Sequence, residues 1–271
     1  MTPPRLADYH THTPLCRHAE GWPKEYARVA QERGLEEIGF ADHSPMPEPF
    51  DDWRMLLEEL PRYLEAVEEA RAAFPQFPIR LGLEVDYIAG QEPWIEKLAA
   101  MAPWDYLIGS VHYIAPGWAV DDPQYLSRFE DRPAAEIWQM YWDAYEKAIW
   151  TGLFDFVGHP DLPKKFGHRP EGDLRRFYEP SIIALAETGT AFEINTAGLR
   201  KPVGELYPHL DFLRLAREAG VPLLINSDAH APQEVGAGFA QAVAAAREAG
   251  YTGTLRFERR KGSPVSFESG V

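Results

Sequence analysis

Cysteine and long apolar runs are scarce in this chain of 271 residues. Cys16 is the only cysteine, which excludes an internal disulfide bond. No apolar run approaches the roughly 18 residues that a membrane-spanning helix needs, so no transmembrane helix is predicted. The segment from Met1 to Asp8 has no apolar core of signal-peptide length, and we therefore expect a cytoplasmic protein.

Basic residues are also few, with 27 Lys and Arg against 42 Asp and Glu, which gives a formal charge of −15. Phosphate backbones attract basic surfaces, so this charge argues against a nucleic-acid partner but tolerates a cationic substrate. A hydrophobic content of 45% is too high for a disordered chain and allows a sizeable core. Because no linker, repeat or low-complexity run interrupts the sequence, we expect one domain over residues 1–271.

Short apolar, β-prone runs alternate with helical patterns along the whole chain. Such alternation is typical of βα units around a parallel sheet. The predicted strands are 5–9, 37–41, 79–85, 106–111, 154–157, 191–194 and 222–225. The predicted helices are 24–34, 51–74, 94–101, 133–151, 173–188, 207–219 and 232–249. This pattern predicts an α/β barrel slightly short of the usual eight units, with 255–267 as a final irregular strand.

A polar or metal-binding residue lies at or just beyond the end of every predicted strand. In chain order these residues are His10, His12, His18, Asp42, His43, Glu84, His112, His159, Asn195, Asp228 and His230. The C-terminal ends of barrel strands converge on one face, which carries the chemistry. Each residue alone has an ordinary structural explanation, such as a helix cap at Asp228. Seven of the nine histidines occur at these positions, however, and this concentration favours a metal site.

The types of ligand narrow the choice of metal. Imidazoles with a few carboxylates and no thiolate suit Zn²⁺, Mn²⁺ or Fe²⁺ better than Ca²⁺ or Mg²⁺. Seven histidines with Glu84 and Asp228 make nine ligands, which is enough for two or three ions if a carboxylate or hydroxide bridges them. Such a cluster lowers the pKa of bound water, supplies a hydroxide nucleophile and holds the oxygens of a phosphoryl group.

The order of these ligands resembles the polymerase and histidinol phosphatase (PHP) superfamily, from about Leu6 to His230. The segment 193–201, together with Tyr207 and Pro208, resembles the histidinol-phosphatase branch. The resemblance implies a distorted (β/α)₇ TIM-like barrel that holds three divalent metal ions at the C-terminal ends of its strands. Whether these ions are Zn, Fe, Mn or a mixture is left open.

The resemblance also implies how the ligands are shared among the ions. The first ion would be bound by His10, His12, Glu84 and Asp228. Glu84 would bridge to a second ion that is held by His112 and His159. The third ion would be bound by His18, His43 and His230.

The reaction implied is hydrolysis of L-histidinol phosphate to L-histidinol and phosphate, a step of histidine biosynthesis, by attack of a metal-bound hydroxide. Arg200 is the best candidate for a phosphate clamp because its guanidinium can bind two oxygens. Lys164 is a second candidate, and Lys165 beside it is equally plausible. Asn195 is a candidate hydrogen-bond donor to phosphate or to bound water.

Three residues beside the ligands have open roles. Asp42, directly before His43, would orient an imidazole or take part in proton transfer. Arg17 stands where the family pattern often has proline, so it is either an added phosphate contact or a surface residue. Cys16 lacks the surroundings of a thiol phosphatase nucleophile and is interpreted as structural.

The leaving group of such a substrate carries an ammonium and an imidazole, which need acidic or aromatic neighbours. The candidates for these contacts are Glu48, Phe50, Asp51, Asp52, Trp53 and residues 113–122. The alternative interpretation of 48–53 is a helix N-terminus with favourable early acids.

Two other functions also fit the sequence. A different phosphoesterase of the same superfamily, acting on small phosphomonoesters, phosphodiesters or nucleotides, would use the same ligands. The segment 193–201 and the acidic charge favour the histidinol branch. A non-catalytic barrel that only binds a phosphorylated metabolite is the third hypothesis, and the apparently complete ligand set argues against it. The oligomeric state is left open, and a homo-oligomer is compatible with the sequence.

Overall fold

The computed structural model describes residues 6–268, so Arg5, the first residue of a predicted strand, lies outside the described residues. Seven parallel strands form one sheet in the order β1-β2-β3-β4-β7-β8-β9. These strands are β1 (Ala7–Asp8), β2 (Glu37–Phe40), β3 (Ile79–Asp86), β4 (Tyr106–Ser110), β7 (Phe156–Val157), β8 (Ala191–Asn195) and β9 (Leu223–Asn226). Four shorter antiparallel strands are β5 (Tyr113–Ala115), β6 (Trp118–Ala119), β10 (Gly253–Glu258) and β11 (Lys261–Ser266).

Helices follow the strands and cover the outside of the sheet. They are α1 (Pro23–Glu32), α2 (Leu60–Ala73), α3 (Glu92–Met101), α4 (Ser127–Glu130), α5 (Ala134–Trp150), α6 (Arg175–Thr188), α7 (Leu210–Glu218) and α8 (Phe239–Glu248). Their buried faces pack on the strands because apolar side chains recur at helical spacing, as Tyr63, Val67 and Ala70 do in α2. Within residues 6–268, no helix combines the length and the apolar character that crossing a bilayer requires.

The two edge strands meet and nearly close the sheet into a barrel. Just past β1 and β9, the backbone N–H of His12 donates to the Ala229 carbonyl at 3.0 Å, and that of Ala229 donates to the His10 carbonyl at 3.1 Å. The Tyr9 N–H donates to the Asn226 side chain at 2.8 Å. The expected seven-stranded α/β barrel is therefore confirmed, and its strand ends converge on one face.

A hairpin covers the opposite end of the barrel, where 255–267 was expected to be a single irregular strand. That expectation is wrong, because β10 and β11 pair antiparallel around a turn at Arg259 and Arg260. The backbone N–H of Arg260 donates to the carbonyl of Asp105, directly before β4, at 2.8 Å. Phe257 is buried with the barrel-interior residues Tyr9, Ala41, Tyr106, Ile108, Phe156, Ala191 and Leu224. The hairpin thus completes the interior core.

Several predicted helices begin too early. The helix predicted at 51–74 begins only at Leu60, because Arg54 is buried and bonded to Ser44, Asp51 and Asp86, which holds the preceding residues in a loop. The helices predicted at 207–219 and 232–249 begin at Leu210 and Phe239. The pair β5–β6 was not predicted. It lies in the loop after β4, and together with the loop after β2 it contributes walls to the grooves beside the site.

Candidate metal centre

The nine predicted ligands come together at the C-terminal ends of the parallel strands. His10 and His12, just past β1, are fully buried. The other seven line a cavity of about 220 Å³, namely His18, His43, Glu84, His112, His159, Asp228 and His230. The C-terminal ends of the barrel strands converge on one face, and they therefore bring together side chains that are up to 220 positions apart in sequence.

Glu84, near the end of β3, lies at the centre of this cluster. Its Oε2 is 2.8 Å from His43 Nδ1 and 3.3 Å from His10 Nε2. Its Oε1 is 2.9 Å from His159 Nε2 and accepts a hydrogen bond from the Ser110 hydroxyl at 2.7 Å. The two oxygens face different histidines, which is the arrangement that a bridging carboxylate needs.

Asp228 faces the histidines that follow β1. Its Oδ1 is 3.2 Å from His12 Nε2 and 3.8 Å from His10 Nε2. Its backbone has a φ of 52°, a left-handed conformation that Asp adopts more readily than most residues. Ligand atoms of His10, His12 and Asp228 all lie within 4.8 Å of one another, and so do those of His10, Glu84 and His159. The Nε2 of His112 is farther from the centre, 3.7 Å from Glu84 Oε1.

A third grouping consists of His18, His43 and His230, whose ligand atoms also lie within 4.8 Å of one another. The Nδ1 of His18 is 2.7 Å from the Cys16 carbonyl, and the Nδ1 of His230 is 3.1 Å from the Asp228 carbonyl. Each of these two rings is held through Nδ1, which leaves Nε2 to bind an ion.

Several buried atoms of the cluster lie close to one another but make no well-oriented hydrogen bond within residues 6–268. They are the Nε2 atoms of His10, His12 and His230, the Nδ1 atoms of His12, His43 and His159, and the Oε2 of Glu84. A buried polar atom without a partner costs about 1–3 kcal/mol, so such atoms are rare in folded proteins. Seven of them at one place, all imidazole or carboxylate atoms, fit a set of divalent transition-metal ions.

The cluster also shifts the pKa values of its members. Burial would raise the pKa of the Glu84 carboxyl, but His43 and His10 hold it well below its usual range. The pKa of Asp228 is lowered in the same way against burial, mainly by His10 and His12. Burial lowers the pKa of His43 to about 4. Ionised carboxylates and a neutral imidazole are the protonation states that bind metal ions. Against burial, the neighbouring carboxylates raise the pKa values of His10 and His12 well above the usual range, so metal binding would displace protons from these two rings.

Carboxylates contact the Nδ1 atoms of several histidine ligands. Two of these carboxylates were not singled out from the sequence. Glu193, inside β8, contacts His10 Nδ1 with both oxygens, at 3.0 and 3.1 Å. Asp86 lies 2.7 Å from the Nδ1 of His112. The predicted Asp42 is fully buried, with its Oδ1 3.5 Å from His12 Nδ1. Such contacts fix the ring orientation, so the position of Asp42 favours the orienting role.

A comparison with protein-family models finds the PHP domain, which matches residues 8–197. The chain belongs to the PHP family. It is 44% identical over 261 residues to the "Probable histidinol-phosphatase" of Deinococcus radiodurans, covering 96% of this chain and 99% of that protein. It is 30% identical to the "Histidinol-phosphatase" of Bacillus subtilis, covering 84% of this chain and 95% of that protein.

Among solved structures, this PHP-family chain matches the histidinol phosphate phosphatase of Lactococcus lactis with a TM-score of 0.82 at 24% identity. The match covers 96% of this chain and 99% of that one, and the L. lactis crystals contain zinc, L-histidinol and phosphate. At this identity the likeness shows the shared fold.

Lys164, one of the two lysines considered as a phosphate contact, does not line the cavity of predicted ligands. Lys164 is fully buried, and its Nζ donates to the Leu206 carbonyl at 2.7 Å and to Asp161 at 3.2 Å. Lys165, its neighbour, lines the cavity instead, with its Nζ 2.9 Å from Asp121. The turn that contains both lysines directs them to different surroundings, so of the two it is Lys165 that a ligand in the cavity can contact.

Arg200 and Asn195 also differ from their predicted roles. The guanidinium of Arg200 donates to the carbonyls of Ser227 and Asp228 at 2.8 and 3.1 Å and pairs with Glu234, so it braces the loop that carries Asp228. Asn195 is fully buried, and its Nδ2 donates to Glu193 at 2.8 Å and to Asp228 at 3.2 Å. Both of its N–H groups are used inside the protein, which leaves none for phosphate.

A groove of about 390 Å³ adjoins the metal cavity and shares several of its histidines. Its other lining residues include Arg17, Asp52, Trp53, Asp121, Asp122 and Lys165. Arg17 lies on this groove, although its guanidinium pairs with Glu59 at 2.9 Å. The Trp53 ring meets the rings of His43 and His112 edge to face at 4.7 and 5.3 Å. The groove is therefore acidic and aromatic directly beside the predicted ligands.

Proposed function

We propose that this PHP-family protein is a metal-dependent histidinol-phosphatase, which hydrolyses L-histidinol phosphate to L-histidinol and phosphate. The relatives from D. radiodurans and B. subtilis carry that name and align over most of the chain. The observation that carries the proposal is the acidic, aromatic groove that adjoins a cavity of metal-binding side chains. The phosphate group of L-histidinol phosphate matches the cavity of metal-binding side chains, and its ammonium and imidazole match the acidic, aromatic groove.

Three divalent ions would be held by the histidines and carboxylates of this cluster, with Glu84 shared between two of the ions. Zn²⁺, Fe²⁺ and Mn²⁺ all suit these donors, so the proposal allows a mixture. When bound, such ions lower the pKa of water to supply the nucleophile and neutralise charge on the phosphoryl oxygens.

Lys165 is the residue that we assign to the phosphate. Its ammonium is paired with Asp121, and both side chains line the cavity. A phosphate dianion in the cavity would offer Lys165 a more highly charged partner than one carboxylate, and charge-assisted hydrogen bonds are the strong ones. Lys201 lines the same cavity and would add positive charge. Arg200 would act indirectly, through the loop that it braces.

Asp52 and Trp53 are the residues that we assign to the leaving group. Asp52 is exposed on the groove, and its carboxylate has no hydrogen-bond or ion-pair partner within residues 6–268. The adjacent Asp51 is less suited, because its carboxylate already accepts from Arg54 and from the Tyr113 hydroxyl. An unpaired carboxylate next to an indole ring fits an ammonium and an imidazole carried on one short molecule.

The test is phosphate release from L-histidinol phosphate by metal-loaded protein, with p-nitrophenyl phosphate as the comparison substrate. We expect a strong preference for histidinol phosphate, and loss of both turnover and metal in Asp228→Ala. Asp211→Ala, on the exposed face of α7, is the matched control and should behave as wild type. Hydrolysis of the aryl phosphate alone would point to another phosphoesterase activity. Release from neither substrate, with metal bound, would favour a binding protein.

Other properties stay predictions. They are the cytoplasmic location, the single-domain organisation over residues 1–271, the lack of a nucleic-acid partner and the oligomeric state.

A further inference from the structure

Arg54, in the loop after β2, is a buried arginine whose donors are almost fully used. Its side chain is only 2% exposed. Its Nη2 donates to Asp86 at 2.9 Å, its Nε donates to Asp51 at 2.8 Å, and its Nη1 donates to the Ser44 carbonyl at 3.1 Å. A planar guanidinium holds its acceptors in one plane and in fixed directions, whereas the three N–H groups of a lysine rotate at the end of a flexible side chain.

One of these contacts leads directly to a predicted metal ligand. Asp86 presents Oδ2 to Arg54, while its Oδ1 lies 2.7 Å from the Nδ1 of His112. The carboxylate is therefore held from both sides. Because Asp86 orients the His112 ring, and Arg54 fixes the plane of Asp86, the guanidinium sets the direction in which His112 Nε2 points.

The face of the same guanidinium supports the aromatic wall of the groove. The central carbon of the Arg54 guanidinium lies 4.4 Å from the centre of the Trp53 ring. Trp53 is stacked almost parallel to Tyr113, with 8° between the ring planes, and the Tyr113 hydroxyl donates to Asp51 at 2.7 Å. Arg54 also bonds Asp51, so one side chain ties this wall to the ligand support at Asp86.

We propose that Arg54 is a positioning residue with two effects: through Asp86 it holds His112 in place for a metal ion, and through its face it holds Trp53 in place for the leaving group. The inference rests on the proposed function for the nature of the ions and the substrate. A purely structural role would predict lower stability without any change in the affinity for one ion or in KM.

The first experiment measures metal binding in Arg54→Met by competition with a chromophoric chelator, using Zn²⁺ and Co²⁺. We expect one ion of the set to lose up to about ten- to a hundredfold in affinity, the loss that follows removal of the direct partner of a histidine ligand, while the other ions bind as in wild type. Arg71→Met is the matched control. Arg71 also bonds two carboxylates and a carbonyl, those of Glu68, Asp105 and Ile79, but at the opposite end of the barrel.

The second experiment uses Arg54→Lys, which keeps the charge without the planar fork and also decides the matter if Arg54→Met fails to fold. We expect partial recovery of the lost metal affinity, but a KM for L-histidinol phosphate that stays raised because Lys cannot stack on Trp53. Wild-type affinity for every ion in both Arg54 variants would overturn the inference. Equal losses in Arg71→Met would also overturn it. If wild-type protein binds the ions but does not hydrolyse histidinol phosphate, the proposed function fails while the metal-binding result for Arg54 still stands.

Discussion

Replacing Glu193 with glutamine tests the carboxylate behind His10. Its Oε1 accepts from the His159 backbone N–H at 2.9 Å and from Asn195 Nδ2 at 2.8 Å, and its Oε2 accepts from Asn226 Nδ2 at 2.8 Å. Glutamine has only one oxygen, so its NH₂ group must face a donor on one side. Asn226 cannot turn its amide to compensate, because its Oδ1 accepts from the Tyr9 N–H at 2.8 Å.

The expected cost of Glu193→Gln has two parts. One buried donor left unpaired costs about 1–3 kcal/mol. With an unfolding entropy of about 2.1 cal/mol/K for each of the 271 residues, this loss lowers the Tm of the metal-free protein by about 2–5 °C. Loss of the orienting carboxylate should also weaken metal binding by about ten- to a hundredfold.

The assay combines thermal unfolding of metal-free Glu193→Gln with chelator competition on the metal-loaded protein. Glu187→Gln is the control, because Glu187 lies on the exposed side of α6 and makes the same change of charge. An unchanged Tm together with an unchanged affinity for every ion would refute the reasoning. A lower Tm with unchanged metal affinity would show that Glu193 supports the core and not the ligand.

Four further substitutions separate the roles of the residues around the cavity. Lys165→Met should weaken inhibition by inorganic phosphate about tenfold or more, because a charge-assisted contact contributes about 1.5–3 kcal/mol. Lys164→Met should instead lower the Tm and leave phosphate inhibition unchanged. Asp52→Asn should raise the KM for L-histidinol phosphate about fivefold, because an exposed ion pair contributes roughly 1 kcal/mol. The KM for p-nitrophenyl phosphate should stay unchanged. Arg200→Ala should reduce metal retention, because it frees the loop that carries Asp228. A raised KM with full metal content would instead support the original prediction that Arg200 binds the phosphate.

The barrel and the set of candidate ligands follow from the sequence because both depend on local patterns. Each apolar run ends at a polar residue, and parallel strands bring those ends together whatever lies between them. This is why His10 and His230 could be placed in one cluster without knowledge of any contact. The predicted start of the helix at 51–74 was wrong because a local pattern does not show tertiary contacts. Its periodicity continued into residues whose conformation is decided by the distant Asp86.

The roles of individual cations could not be predicted, because they depend on which side of a turn a side chain leaves. Lys164 and Lys165 are adjacent and chemically identical, yet one is buried against Asp161 and the other lines the cavity. Arg200 has the guanidinium that a phosphate clamp needs, but its Nη2 donates to the carbonyls of Ser227 and Asp228 and its Nε pairs with Glu234. Only the tertiary structure decides between such alternatives.

Glu193 and Asp86, by contrast, left a signal in the sequence. Glu193 is a charged residue inside the apolar run of β8, and such residues are rarely fully buried unless they are paired. Asp86 lies two residues after Glu84, and alternate residues of a strand share one face. The same spacing relates Glu193 to Asn195 in β8. At the C-terminal end of these strands, the inner face therefore holds carboxylates where an ordinary barrel holds aliphatic side chains. A buried acid two residues away from a predicted site residue on the same strand is the pattern by which the supporting residues of such a centre can be found.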